Sequence, residues 1–132
     1  VSESKKAPEG LYYTKEHEWV KLEGELAVVG LTDFAQDQLG DITYVELPEV
    51  EAEVEQMGEM CVVESVKTAA DVYAPLGGVV AEVNSALEDQ PELLNQDCYG
   101  AGWLVKLKGF DRAELDNLMD AAAYDQLLTE GE

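Results

Sequence analysis

The sequence predicts a mainly β protein with small helices, an α+β class. Three observations carry this reading. Short apolar runs alternate with turn residues through the middle of the chain, a β-favouring stretch near the start is interrupted by Glu23-Gly24-Glu25, and helical spacing is confined to short segments, two of them in the acidic tail. At 132 residues the chain fits one domain, large enough to bury a core without disulfides or a structural metal. Residues 1–10, polar and carrying Pro8 and Gly10, read as a loose lead-in, and 11–132 as a single domain.

The elements follow in order. Tyr12, Tyr13, Trp19, Val20 and Leu22 favour strands, and Glu23-Gly24-Glu25 separates them from Leu26-Ala27-Val28-Val29, the pattern of a hairpin. Thr32-Asp33 can cap a short helix through Leu39, with Phe34, Ala35 and Gln38 at helical spacing and Gly40 placed to end it. A strand is expected from Ile42 to Leu47, stopped by Pro48, which cannot donate to a ladder. The stretches Gln56-Met57-Gly58-Glu59, 60–63, Val72-Tyr73, Pro75-Leu76-Gly77-Gly78 and 79–83 then repeat the rhythm of a small β sandwich or barrel. Pro91-Glu92-Leu93-Leu94 reads as one helical turn, 95–102 as loop and 103–107 as a closing strand. Asp111 caps a helix from Arg112 to about Met119, and a second helix covers 121–128.

Charge narrows the function classes. With 29 Asp and Glu against 8 Lys and Arg, the formal net charge is -21, so nucleic acid and anionic membranes are poor partners and basic protein surfaces are better ones. Cys61 lies in an apolar run and Cys98 near a loop, with no spacing of a disulfide framework or zinc site, which fits reduced thiols in an intracellular compartment. No run approaches the roughly 18 apolar residues of a membrane span. Nor does the start resemble a secretory signal, so a soluble protein is expected; beginning at Val1, the chain is expected to have been processed or trimmed.

Lys67 is the residue to explain. It stands in Glu64-Ser65-Val66-Lys67-Thr68-Ala69-Ala70-Asp71, one of few basic residues in an acidic chain. Strand-like stretches at 60–65 and 71–74 flank it, so the chain is expected to reverse nearby and present the amine at a hairpin tip, although Val66-Lys67-Thr68-Ala69 holds no Gly, Asn or Pro and turn chemistry alone leaves the reversal open. Acylation of the amine would remove its charge. The bland reading is a solvated surface lysine.

Other candidates are weaker. His17, the only histidine, reads as structural rather than as an acid or base, and no ligand set for a metal accompanies it. A nucleophilic pair of Cys61 or Cys98 with His17, as in a small cysteine hydrolase, has no supporting signature. Neither a phosphate loop nor a nucleophile elbow occurs. Trp19, Trp103 and Phe34 read as core.

The ordered set Tyr13-Thr14-Lys15-Glu16-His17-Glu18-Trp19-Val20, Thr32-Asp33-Phe34-Ala35-Gln36, Leu39-Gly40-Asp41, Val45-Glu46-Leu47-Pro48, Glu64-Ser65-Val66-Lys67 and Gly102-Trp103 resembles the glycine cleavage system H-protein family over nearly the whole chain. Biotin carriers instead centre their lysine between methionines, and lipoyl domains of acyltransferases lack the His-Glu-Trp segment. The resemblance implies a barrel-sandwich hybrid fold with a lipoyl group, lipoic acid in amide linkage, on Lys67 at a hairpin tip. Glu64, Ser65 and Val66 would complete the modification motif. It further implies a non-catalytic carrier that takes an aminomethyl group from glycine decarboxylase, the P protein, to aminomethyltransferase, the T protein. Dihydrolipoyl dehydrogenase, the L protein, then reoxidises the arm, and a lipoate-attaching enzyme installs it. Glu18 and Asp71 match acidic residues of the cleft that receives the loaded arm, whereas Gln38 stands where some family members have histidine. A monomer in the bacterial cytoplasm, or alternatively the mitochondrial matrix, is expected. Donation of lipoyl groups to other carriers is a further role the resemblance allows.

Overall fold

The computed structural model describes residues 10–131, so that all of the expected lead-in except Gly10 lies outside the described residues. Along the chain run β1 (Tyr12–Tyr13), β2 (Glu18–Glu23), β3 (Leu26–Leu31), α1 (Asp33–Leu39), β4 (Ile42–Glu46), β5 (Glu53–Val54), β6 (Glu59–Ser65), β7 (Ala69–Tyr73), β8 (Gly78–Val83), α2 (Ala86–Asp89), α3 (Leu93–Gln96), β9 (Val105–Lys108), a 3₁₀ helix (Arg112–Asn117) and α4 (Ala121–Gly131). Two antiparallel sheets result. One has six strands in the order β1-β2-β3-β9-β8-β5 and the other three in the order β4-β6-β7.

The core joins the two sheets. Val20, Val29, Leu31, Val80, Val105 and Leu107 of the larger sheet cluster with Val45, Cys61, Val63 and Val72 of the smaller one, and Leu87 of α2 and Leu94 of α3 close the cluster, each fully buried. Burying such a side chain is worth about 1.5–3 kcal/mol, so the two short helices are held by their leucines rather than by helix propensity. A second cluster, Tyr13, Trp19, Val28, Ala121 and Tyr124, fixes α4 to β1 and β2. Within it Trp19 pairs across strands with Gly30, where a Cβ would stand 2.6 Å from the indole ring. Only glycine allows that approach, and the indole N–H then donates to the Cys98 carbonyl at 3.0 Å.

Most expected elements stand where local signals place them. Thr32 caps α1, its hydroxyl accepting from the Ala35 amide at 3.2 Å, and Gly40 ends the helix with φ 82. Others differ for physical reasons. The helical turn expected at Pro91-Glu92-Leu93-Leu94 starts two residues later and takes in Asn95, whose side chain accepts from the Ile42 amide at 2.9 Å and donates to Gln36 and to the Gly40 carbonyl. The first tail helix is 3₁₀ and stops at Asn117, because Met119 exchanges two backbone hydrogen bonds of 2.8 Å with Tyr13. Strand β5 and helix α2 carry no local signal strong enough to single them out. No described helix is long and apolar enough to cross a membrane.

Candidate functional site

The β6–β7 hairpin reverses at residues 65–68 without glycine, asparagine or proline. The reason lies in one side chain. Ser65 Oγ accepts from the Lys67 amide at 3.1 Å and from the Thr68 amide at 3.2 Å, while the Ser65 amide donates to the Thr68 carbonyl at 2.8 Å. A serine bonding its own turn replaces the left-handed residue such a reversal often needs, and none of residues 65–68 has a positive φ. The tip is anchored to its neighbour by the Val66 amide, which donates to the Asp41 carbonyl at 3.0 Å.

Val66, Lys67 and Thr68 are all exposed, Val66 at 66 %. The lysine stem passes over the C-terminus of α1, where a Cβ on Gly40 would lie 3.4 Å from Lys67 Cε and 3.8 Å from Cδ. Thus Asn95, by holding the Gly40 carbonyl, sets the ground on which the lysine rests. Glu64 is exposed and pairs with Ala69 at the end of the ladder.

Beside the hairpin a groove of about 200 Å³ opens between the turn before β2, α1 and β7. Leu31, Ala35, Leu39 and Val72 supply its apolar lining, and Glu16, His17, Gln38 and Asp71 its polar lining. Asp71 is exposed and sits on β7 opposite Val62, two residues beyond the start of the strand. Among the sequence candidates, therefore, Asp71 and Gln38 meet at the groove, with Lys67 at the hairpin tip four residues before Asp71.

Glu18 sits differently. The residue is 1 % exposed and is not among those lining the groove; Thr14 Oγ1 donates to its Oε1 at 2.5 Å and the Tyr73 amide donates to its Oε2 at 3.1 Å. Burial pushes its pKa up to about 7, against the two hydrogen bonds, which favour the charged form, and with some help from the charge of Glu16. Glu18 thereby ties the turn before β2 to the last residue of β7.

Both thiols are buried. Burial pushes Cys61 up to about 12, with the charge of Glu18 adding to it, and pushes Cys98 up to about 12 with a contribution from Asp33. A nucleophilic cysteine needs the opposite shift, which counts against the hydrolase reading. His17, read from the sequence as structural, lines the groove, its Nδ1 2.8 Å from Tyr124 Oη. Glu16 stands inside the 13–20 motif without being singled out, and Tyr124 is marked by no motif; being the one aromatic of α4 was the available signal for it.

The family model for the glycine cleavage H-protein matches residues 11–131, which takes in the hairpin, the groove and α4. The chain belongs to the glycine cleavage H-protein family. It is 58 % identical over 124 residues to the glycine cleavage system H protein of Symbiobacterium thermophilum, covering 94 % of this chain and 97 % of that one. Against the H protein of Thermus thermophilus the identity is 55 % over 121 residues, with coverage of 92 % and 94 %. The crystal structure of the H protein from Mycobacterium marinum superposes with a TM-score of 0.83 at 34 % identity, covering 96 % of this chain and all of that one. The H-protein architecture, a barrel-sandwich hybrid of two sheets with short helices, is thus the fold of this chain.

Proposed function

We propose that the protein is the lipoyl-carrying shuttle of glycine cleavage, with lipoic acid in amide linkage to Lys67. The observation that carries the reading is an exposed lysine at a serine-braced hairpin tip, with its stem over Gly40 and a carboxylate-bearing groove alongside. The residues fit the group. The amine is accessible for acylation, the turn does not need a free lysine for its shape, and the stem lies at van der Waals distance over Gly40.

Held through Lys67, a lipoyl group would supply a disulfide able to accept the aminomethyl group at glycine decarboxylase and, after delivery at aminomethyltransferase, a dithiol for dihydrolipoyl dehydrogenase to reoxidise. The chain's part is to carry, seat and protect. Lys67 supplies the tether, which raises local concentration at each docked enzyme. Asp71 accepts a charge-assisted hydrogen bond from the cationic cargo, while Leu31, Ala35, Leu39 and Val72 exclude water from it. We assign Glu18 to the same cleft, from within its wall, where ionisation near neutrality reinforces the field of Asp71. Gln38 offers a hydrogen bond that does not titrate.

Ser65 presents the lysine to the lipoate-attaching enzyme, with Glu64 and Val66 beside it. The net charge of -21 favours partners with basic docking surfaces. The named relatives are bacterial, which supports the bacterial cytoplasm as the compartment. Intact-mass and peptide mapping of protein from a lipoylating host tests the reading: one lipoyl increment on Lys67 is expected, and a fully processed sample without it overturns the assignment.

A further inference from the structure

The groove wall contains one side chain whose chemistry is set from the far end of the sequence. His17 lines the groove, and its backbone is held at φ 74, the left-handed region that a residue bearing a Cβ enters at a cost. Such a conformation persists where its surroundings over-determine it, and it concentrates at functional sites. Here the His17 amide donates to the Thr14 carbonyl at 3.1 Å and its carbonyl accepts from the Thr32 amide at 3.0 Å. The ring packs on Phe34 with centroids 4.6 Å apart and meets Tyr124 edge-on at 5.7 Å.

Hydrogen-bond accounting around Tyr124 decides which imidazole nitrogen carries the proton. Thr32 Oγ1 accepts from the Ala35 amide and lies 2.7 Å from Tyr124 Oη, and Thr32 is wholly buried. Were Tyr124 the donor in that contact, the Thr32 hydroxyl proton would be buried without an acceptor, at a cost of about 1–3 kcal/mol. Thr32 therefore donates to Tyr124. The single phenol proton then goes to His17 Nδ1, 2.8 Å away, and a nitrogen that accepts cannot also carry a proton. The polarity of the chain runs from the Ala35 amide through Thr32 and Tyr124 to Nδ1.

We propose that Tyr124 is a positioning residue that fixes His17 as the neutral Nε2–H tautomer and so keeps the groove wall uncharged beside the arm's cationic cargo. An imidazolium would place a second positive charge in that groove and would need a proton on Nδ1, which reverses the Tyr124 bond and leaves either the phenol proton or the Thr32 hydroxyl proton without an acceptor among these groups. Several carboxylates pull the other way. Glu16 and Asp71 share the groove, Glu18 lies on β2, Asp33 on α1, and Asp125 of α4 acts on Tyr124. The hydroxyl relay opposes them. The reference to the cargo rests on the proposed function; the tautomer does not.

The test is long-range nitrogen–proton correlation NMR of the unlipoylated protein, which reads both imidazole nitrogens of the only histidine. The expected spectrum at pH 7 is that of the Nε2–H tautomer. In a Tyr124→Phe variant the Nδ1–H form and the imidazolium together rise severalfold. A wild-type spectrum of the Nδ1–H tautomer or of the imidazolium overturns the proposal even where the variant does not fold, and so does an unchanged spectrum in a folded variant. Failure of the shuttle reading would show instead as a missing mass increment on Lys67 with this spectrum untouched.

Discussion

At the tip of the β6–β7 hairpin, Val66, Lys67 and Thr68 are exposed and shaped by bonds from one neighbouring serine. At its base, Val72 and Ala74 are buried, and the Tyr73 amide is bonded to a carboxylate 55 residues earlier in the chain. The two ends obey different rules. The tip takes its turn from bonds within four residues and one backbone anchor to Asp41, none of which uses the exposed side chains of residues 66–68, so these can be modified without disturbing the core. The base takes its form from long-range burial, so changes there reach the groove and the fold together. Such a hairpin separates a chemical handle from the frame that aims it.

The largest expected effect falls on the handle. Lys67→Ala removes the lipoyl increment and glycine cleavage completely, with unfolding free energy within about 0.5 kcal/mol of the parent, as for an exposed site. Lys67→Arg does the same while keeping the charge. A Lys67→Ala protein that still supports cleavage would erase the distinction between the two ends.

Next is the base. Glu18→Ala leaves the Thr14 hydroxyl and the Tyr73 amide without their buried acceptor, for a loss of about 1–3 kcal/mol in denaturant unfolding. Its pH dependence sharpens the point. The folded pKa of about 7 lies above the ordinary 4.5, so the unfolded chain loses this proton first as pH rises, and stability falls between about pH 4.5 and 7, then levels. The contribution is roughly 3 kcal/mol across that window, from about 1.4 kcal/mol per unit. Below pH 4.5 both states hold the proton, so the slope vanishes and the contribution is fully present. Glu18→Gln should flatten this part of the profile, measured as wild type minus variant; a superimposable profile would remove Glu18 as its source.

Asp71→Asn acts on the cargo rather than on the frame. On the proposed reading it speeds nonproductive loss of the aminomethyl group severalfold, followed by ammonia release from the loaded protein, with little change in melting temperature because Asp71 is exposed. Combined with Glu18→Gln the loss should be faster still, and unchanged decay in the double variant would sink the cleft assignment. The smallest effect is expected from Ser65→Ala, about 1 kcal/mol in stability, with slower lipoate attachment, because two turn amides lose the one hydroxyl acceptor they share, which water replaces in part.

Lys67, the capped helix after Thr32 and the strand rhythm were legible in the sequence, because each depends on a few consecutive residues, whereas the hairpin around Lys67 was left open by turn chemistry and followed only from the resemblance. Asp71 became legible only through the resemblance. The roles of His17 and Tyr124 were not, since they meet across 107 residues, and Asn95 reaches 55 residues back to Gly40. Residue type announces a side chain's capacity for hydrogen bonding and not its partner.

By itself, then, the sequence determined an acidic, mainly β chain with a lysine set between two strands, through alternation, turn chemistry and charge. Only the tertiary structure decided that Glu18 is buried with a pKa near neutrality and Asp71 exposed, although both are acidic residues on strands. It also decided that α4 reaches the groove through Tyr124. The reason is physical: local patterns select backbone conformation, whereas desolvation and long-range hydrogen bonding depend on which surfaces the two sheets enclose.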